Sequence, residues 1–293
     1  MLAGLQAEPA YGRGVAESIL LGHAPRPTSG PQLEKRIRTL VIAAEPPGIA
    51  CTSVIDAELD GADVQHLHLD LTDFHLAGEH DRDRNRLEPQ GAPVSSEDAV
   101  LRELRVKADP MYVAGAAVRL DAQLTNVPFL WIETDNGELA VDLSPPDAEH
   151  PLHGHARVAV PKSQLGKALL GVAESALLER GVSVSRLDLD VQQRGPRDLR
   201  VTLEAKVRKG LLGAHVTGAA NAVLDDALGV TLSGIEVDSG NPLVAAMLGA
   251  VRGKIARYEG RRIDLAAQLP PGIRVADVQI DVADEVTIEA RLV

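Results

Sequence analysis

The amino-acid sequence predicts an α+β fold in which a long, curved antiparallel sheet wraps around long helices. Runs of alternating apolar and polar residues recur along most of the chain, with the period of half-buried strands. Three longer stretches instead carry aliphatic residues at helical spacing and open with capping or first-turn residues. No strand–Gly-rich loop–helix unit is present, so a Rossmann or P-loop fold is not expected. Helices set apart from meanders of strands indicate α+β.

Residues 1–30 hold Gly and Pro at short intervals without a sustained period, and they read as an irregular arm with a short helix over Gly14–Leu21. A helix starts near Pro31, where proline is tolerated in the first turn and Ser29 or Gly30 is available as a cap. Its apolar positions are Leu33, Ile37, Leu40, Val41 and Ala44, and Pro46-Pro47-Gly48 ends it. Val54–Leu59 is a strand. In the next strand Leu67, Leu69 and Leu71 alternate against His66, His68 and Asp70. The mixed-charge segment Glu79–Gln90 is a surface loop. Leu104–Ala108 and Ala116–Leu124 alternate again. Leu130–Thr134 and Glu138–Leu143 flank Asn136-Gly137, a strong hairpin signal.

After the Pro145-Pro146 linker, the pattern restarts with a strand at His155–Val160. A helix over Pro161–Arg180 follows, with Leu165, Leu169, Val172, Ala176 and Leu177 on one face and Gly181 at its stop. Strands are expected at Val184–Val191, Leu199–Val207, Leu211–Ala219 and Val230–Val237, with a short helical segment at Asn221–Leu228. Asn241 caps another helix, whose stripe is Val244, Met247, Leu248, Val251, Ile255 and Tyr258. Ile263–Leu269, Ile273–Val282 and Val286–Leu292 close the sheet. The organisation is thus an arm (1–30) and one elongated domain (31–293). Its halves, about 31–146 and 150–293, are alike in layout but not in residue identity.

Composition narrows the function. The 293 residues are 45% hydrophobic and 25% charged, ordinary for a globular chain. Aromatics are only 2% and the net charge is −12. Nucleic-acid recognition uses stacking aromatics and positive charge, so a nucleic-acid partner is not expected. The lone cysteine, Cys51, excludes an intrachain disulfide and a multi-cysteine metal site. The first thirty residues lack a basic n-region and an apolar core, and no run of about 18 apolar residues exists. As written, the chain is expected to be cytoplasmic or membrane-peripheral; an upstream start carrying a signal would move it to the envelope.

The segment Leu152–Leu169, "LHGHARVAVPKSQLGKAL", resembles a recurring element of the LmeA-type phospholipid-binding proteins of actinobacteria and cyanobacteria. Gly154, Ala156, Val158, Val160 and Leu165 carry the likeness. "LRVTLEAKV" resembles that family's central strand, "NPLVAAMLGAVRGKI" its late helix, and "LPPGIRVADVQIDVADEVTIEARL" its closing hairpin. The resemblance implies a tubular lipid-binding-like fold, in which a curved sheet wraps a long helix and an apolar groove between them takes acyl chains. It implies no catalytic residue; some members of the family are reported as phospholipases. The family's usual N-terminal signal or membrane anchor has no counterpart here.

No Gly-x-Ser-x-Gly nucleophile elbow occurs, and Ser233-Gly234 and Ser239-Gly240 read as structural. His66 and His68 share a strand face turned to solvent; a third metal ligand for them would come from another strand. His150, His153 and His155 cluster at the linker and read as exposed. Asp188 and Asp190 lie on the wet face of their strand, and Asp225-Asp226 reads as a cap or turn. No metal site and no cofactor are expected.

The remaining weight falls on apolar surface. Phe129 and Trp131 read either as a membrane-touching groove mouth or as a core plug. Leu211 and Leu212, beside Lys209 and Arg208, read as a headgroup-side loop or a plain strand connection. Leu165, Leu169, Val172, Val244, Met247, Leu248 and Val251 are candidates for lining an apolar groove, or for plain core. The leading expectation is a non-catalytic module that binds a phospholipid or fatty-acyl ligand, with peripheral membrane contact. An interaction protein with a fully packed core is the alternative, and a weak phospholipase the third reading.

Overall fold

The computed structural model describes residues 18–46, 48–49, 52–76, 88–113, 115–146, 151–167, 170, 183–209, 212–241, 259–269 and 273–293. The first strand, β1 (Ile19–His23), lies within what the sequence suggests is an irregular arm. It stands where the end of a short helix is expected, because its backbone pairs antiparallel with a strand over a hundred residues away. Helix α1 (Gly30–Ala44) follows, with Ser29 at its N-cap and proline in the first turn. The Gln32 and Leu33 amides donate to the Ser29 carbonyl, so the backbone closes the first turn.

A run of strands continues the first half: β2 (Val54–Asp60), β3 (Asp63–Asp70), β4 (His75–Leu76), β5 (Pro93–Val113), β6 (Ala116–Thr134) and β7 (Glu138–Leu143). The expected Asn-Gly hairpin joins β6 to β7, with Gly137 at φ 78° in the turn. Strand β5 departs from an all-antiparallel sheet. It runs parallel to β3 and β4 while pairing antiparallel with β6 along almost its whole length. The long connection after β4 leaves room for the crossover that a parallel pair needs.

The second half supplies β8 (His153–Pro161), β9 (Ser183–Gly195), β10 (Asp198–Lys209), β11 (Leu212–Leu224), β12 (Gly229–Asp238), β13 (Arg262–Asp264), β14 (Val275–Val282) and β15 (Glu285–Leu292). Strand β11 runs on through Asn221–Leu224, where a helical segment is expected. The ladder with β10 and β12 binds those backbone groups and overrides local preference. Strand β13 is short, and a 3₁₀ turn at Ala266–Gln268 replaces the rest of the strand expected to reach Leu269.

Ten strands form one sheet, ordered β14-β15-β8-β6-β5-β3-β2, with β7 continuing on β6 and β1 on β7. It curls as a half-barrel. Its inner face packs on α1: Leu33 is buried with Leu21, Ala57, Val64, Ala99, Phe129, Trp131 and Leu139, and Ile37 and Leu40 pack against them. Val41 and Ala44, one turn on, meet a second cluster of Phe74, Ala108 and Met111. All five apolar positions expected for this helix therefore face the sheet. The other five strands form a second sheet, β13-β12-β11-β10-β9.

The two sheets meet at their edges, β14 against β9. The Gln193 side chain substitutes for a neighbouring strand there: its amide donates to the Ile280 carbonyl (2.8 Å) and accepts from the Val282 N–H (3.1 Å). Arg197 adds Nε to the Val278 carbonyl and a guanidinium contact to Asp277. Edge groups that would otherwise stay unpaired are thus satisfied by side chains.

The halves share two constructional details. Once β1 of the arm is counted with the first half, the strand before each helix pairs with the last strand of its half, β1 with β7 and β8 with β15. Each helix also presses a glycine against the strand that follows it. A Cβ on Gly30 would lie 1.9 Å from the Ala57 carbonyl oxygen, and one on Gly166, in the helical residues 162–167, would lie 2.2 Å from that of Leu187. The expected wrap around long helices is seen in its coarser part only. Helix α1 has 15 residues, and most of residues 161–180 and 241–258 lie outside the described residues.

Candidate functional site

Helix α1 has two working faces. Leu33, Ile37, Val41 and Ala44 point into the half-barrel, and Leu40 stands on the border. Gln32, Lys35, Arg36, Thr39, Leu40 and Ala43 recur at helical spacing on the neighbouring face and line a cleft against β1. Leu20 to Ala24 form the opposite wall, and the cleft, open to solvent along one side, has a volume of about 920 Å³. That volume lies in the range of small-molecule and cofactor sites, roughly 300–1,000 Å³.

The cleft is graded along its length. Residues 24–29 turn the chain back, so β1 and α1 run in opposite senses. Arg36 fixes this arrangement by donating to the Pro25 carbonyl (2.7 Å) and more weakly to that of Leu21 (3.4 Å). Leu20, Leu40 and Ala43 therefore gather at one end, and His23, Gln32 and Arg36 at the other. Burial draws the Arg36 guanidinium below its ordinary pKa, leaving it a cation held by carbonyls. Behind His23 stands its cross-strand partner Glu138. Burial pushes the Glu138 carboxyl up, but the Gln90 amide, the Asn136 side chain and the Gly91 amide overcome this and leave it below the ordinary carboxylate range. The polar end of the cleft is thus a cationic rim backed by one ionised carboxylate.

No protein-family model, curated protein or solved structure matches the chain.

The groove candidates read from sequence are placed as follows. Phe129 and Trp131 lie in the core, edge to face with ring centroids 5.1 Å apart. The Trp131 indole donates to the Ala62 carbonyl (2.9 Å), which satisfies its one polar atom in the interior. Leu165 is half-buried beside Gly166. Leu212 opens β11, paired with Lys209. Leu169, Val172, Leu211, Val244, Met247, Leu248 and Val251 lie outside the described residues. Among the described candidates, none lines the β1–α1 cleft. Sequence reasoning missed the cleft because it needs β1. The one local signal is the apolar "ILL" at 19–21, in a segment otherwise broken by Gly and Pro.

The polar candidates resolve into local roles. Asp225 accepts from the Ala227 and Gly229 amides and from Arg262, which makes it the turn clamp between β11 and β12. The Arg262 guanidinium, helped by those amides, pulls its carboxyl down to about 2. Asp188 pairs with Arg186, and Asp190 accepts from Gln192. Ser239 donates to the His215 carbonyl. His153 and His155 are exposed on β8, and Cys51 and His150 lie outside the described residues. Among the described residues, no helix is long and apolar enough to cross a membrane.

Proposed function

We propose that the protein binds an acyl-chain lipid, a phospholipid or fatty-acyl amphiphile, with one chain in the cleft between β1 and α1. The observation that carries this reading is the gradient along the cleft, from Leu20, Leu40 and Ala43 to His23, Gln32, Lys35 and Arg36. An amphiphile would enter tail first, leaving its headgroup among the cationic and hydrogen-bonding side chains. Burial contributes about 0.8 kcal/mol per methylene, so ten buried methylenes contribute about 8 kcal/mol. That corresponds to a Kd of about 1 µM, and ordering of the chain shifts the expected affinity to the weaker side.

In this reading the half-barrel and α1 act as one end of a tubular lipid-binding-like wrap, as the likeness to LmeA-type proteins suggests. The acidic net charge of −12 favours carriage of single lipids over docking on an anionic bilayer.

Titration of the delipidated protein with a fluorescent fatty-acid analogue tests the reading. Saturable binding should weaken at least tenfold in Ala43→Trp, which fills the apolar end from an exposed position. Lys35→Glu should weaken an anionic amphiphile more than its neutral ester. Absence of saturable binding, or binding indifferent to both substitutions, would overturn the proposal and favour an interaction protein.

A further inference from the structure

On the outer face of the half-barrel, away from the lipid cleft, the β2–β3 hairpin and the neighbouring β5 assemble two imidazoles and three carboxylates. The antiparallel register sets Asp56 opposite His68 and Glu58 opposite His66, and β5 brings Glu103 alongside. The bulge at Gln65 sets which face the histidines take, since register breaks between Glu58 and Leu59 on the partner strand. His66 and His68 stack with centroids 4.8 Å apart.

We infer that Asp56, His66 and His68 form a binding site for one divalent transition-metal ion of the zinc or nickel class. One ligand atom from each of the three lies within 4.8 Å of the others. Asp56 Oδ2 is 3.1 Å from His66 Nε2 and 3.8 Å from His68 Nδ1. Ligands bound at about 2.0–2.1 Å in a tetrahedral site stand roughly 3.4 Å apart, so the two distances bracket what an ion requires. Two imidazoles and one carboxylate suit borderline metals such as zinc or nickel and leave further positions to water.

A second observation separates this cluster from a chance gathering of charges. Each histidine has another carboxylate behind its remaining nitrogen. Glu58 Oε2 is 3.5 Å from His66 Nδ1, and Glu103 Oε1 is 3.9 Å from His68 Nε2. Hydrogen-bonded carboxylates in that position orient metal-bound histidines and raise their basicity, and these two stand just beyond that distance. His68 Nε2, on the side away from the ion, is buried and stops short of a hydrogen bond to Glu103, so a small ring rotation on metal binding would bring the two together. Glu103 is itself held by Gln123 Nε2 (3.0 Å) and by Arg105.

Isothermal titration with zinc chloride, repeated with cobalt(II) and read by its d–d absorption, tests the inference. One equivalent should bind. His66→Ala, His68→Ala and the isosteric Asp56→Asn should each weaken zinc at least tenfold, Glu58→Gln should weaken it roughly ten- to a hundredfold, and the pair His153→Ala and His155→Ala should leave it unchanged. Thermal melts of the metal-free variants establish that they fold. Absence of one-equivalent binding, loss of binding in the His153 and His155 variants, or indifference to His66→Ala would overturn the site.

Discussion

Replacing Gly30 by alanine probes how α1 is seated in the half-barrel. The new Cβ would lie 1.9 Å from the Ala57 carbonyl oxygen and 3.0 Å from its carbon, both backbone atoms of β2 that cannot rotate aside. Restoring ordinary contact requires the helix start to lift by about 1.5 Å, which unseats Leu33 from its cluster. Overpacking costs about 1–3 kcal/mol, and a rigid backbone neighbour puts this case near 3 kcal/mol. For a chain of this size that lowers Tm by about 6–12 °C. Trp131 is the sole tryptophan and packs in the same cluster as Leu33, so its fluorescence during urea unfolding reports the event directly. Gly166→Ala should behave similarly, with its Cβ 2.2 Å from the Leu187 oxygen. Gly195→Ala, whose Cβ would meet only Asp198 Cβ at 3.5 Å, should change stability by less than about 0.5 kcal/mol. Wild-type stability in Gly30→Ala would refute the reasoning about helix seating.

Three further outcomes are expected. Trp131→Phe keeps an aromatic ring but removes the indole N–H that serves the Ala62 carbonyl and part of the buried volume, so urea denaturation should show a loss of at least about 1 kcal/mol. Gln193→Ala removes the acceptor for the Val282 amide, so hydrogen exchange there should accelerate while exchange within the β10–β11 ladder stays unchanged. The Asp225 carboxyl is held at about 2 against an ordinary 3.8, chiefly by Arg262. A depressed folded pKa contributes stability that is present above 3.8 and lost as pH falls toward 2. Asp225→Asn should therefore remove part of the stability decline over that interval, measured by acid titration of the β11–β12 turn resonances.

Local patterns made some elements legible and long-range pairing hid others. The stripe Leu33, Ile37, Leu40, Val41 and Ala44 placed α1 correctly because a helix buries one face at a fixed period. Asn136-Gly137 placed the β6–β7 turn because that dipeptide accepts the required backbone angles. Strand β1 was hidden because its partner β7 lies more than a hundred residues away, and the parallel run of β5 because alternation carries no direction. The same limit applies to sites. The spacing of His66 and His68 was visible, but the facing Asp56 and Glu58 emerge only once the hairpin register is fixed. The cleft was missed for want of β1, while Phe129 and Trp131 drew attention as aromatics and lie in the core.

Covalent capture of the ligand tests the central claim most directly. A fatty acid carrying a diazirine near its methyl end, bound to the delipidated protein and photolysed, should label the peptides that hold Leu20 and Leu40–Ala43, where the cleft is most apolar. Moving the diazirine beside the carboxylate should shift labelling toward His23 and Gln32–Arg36. Labels confined to other parts of the chain, or adducts that do not move with the diazirine, would contradict lipid binding in the β1–α1 cleft.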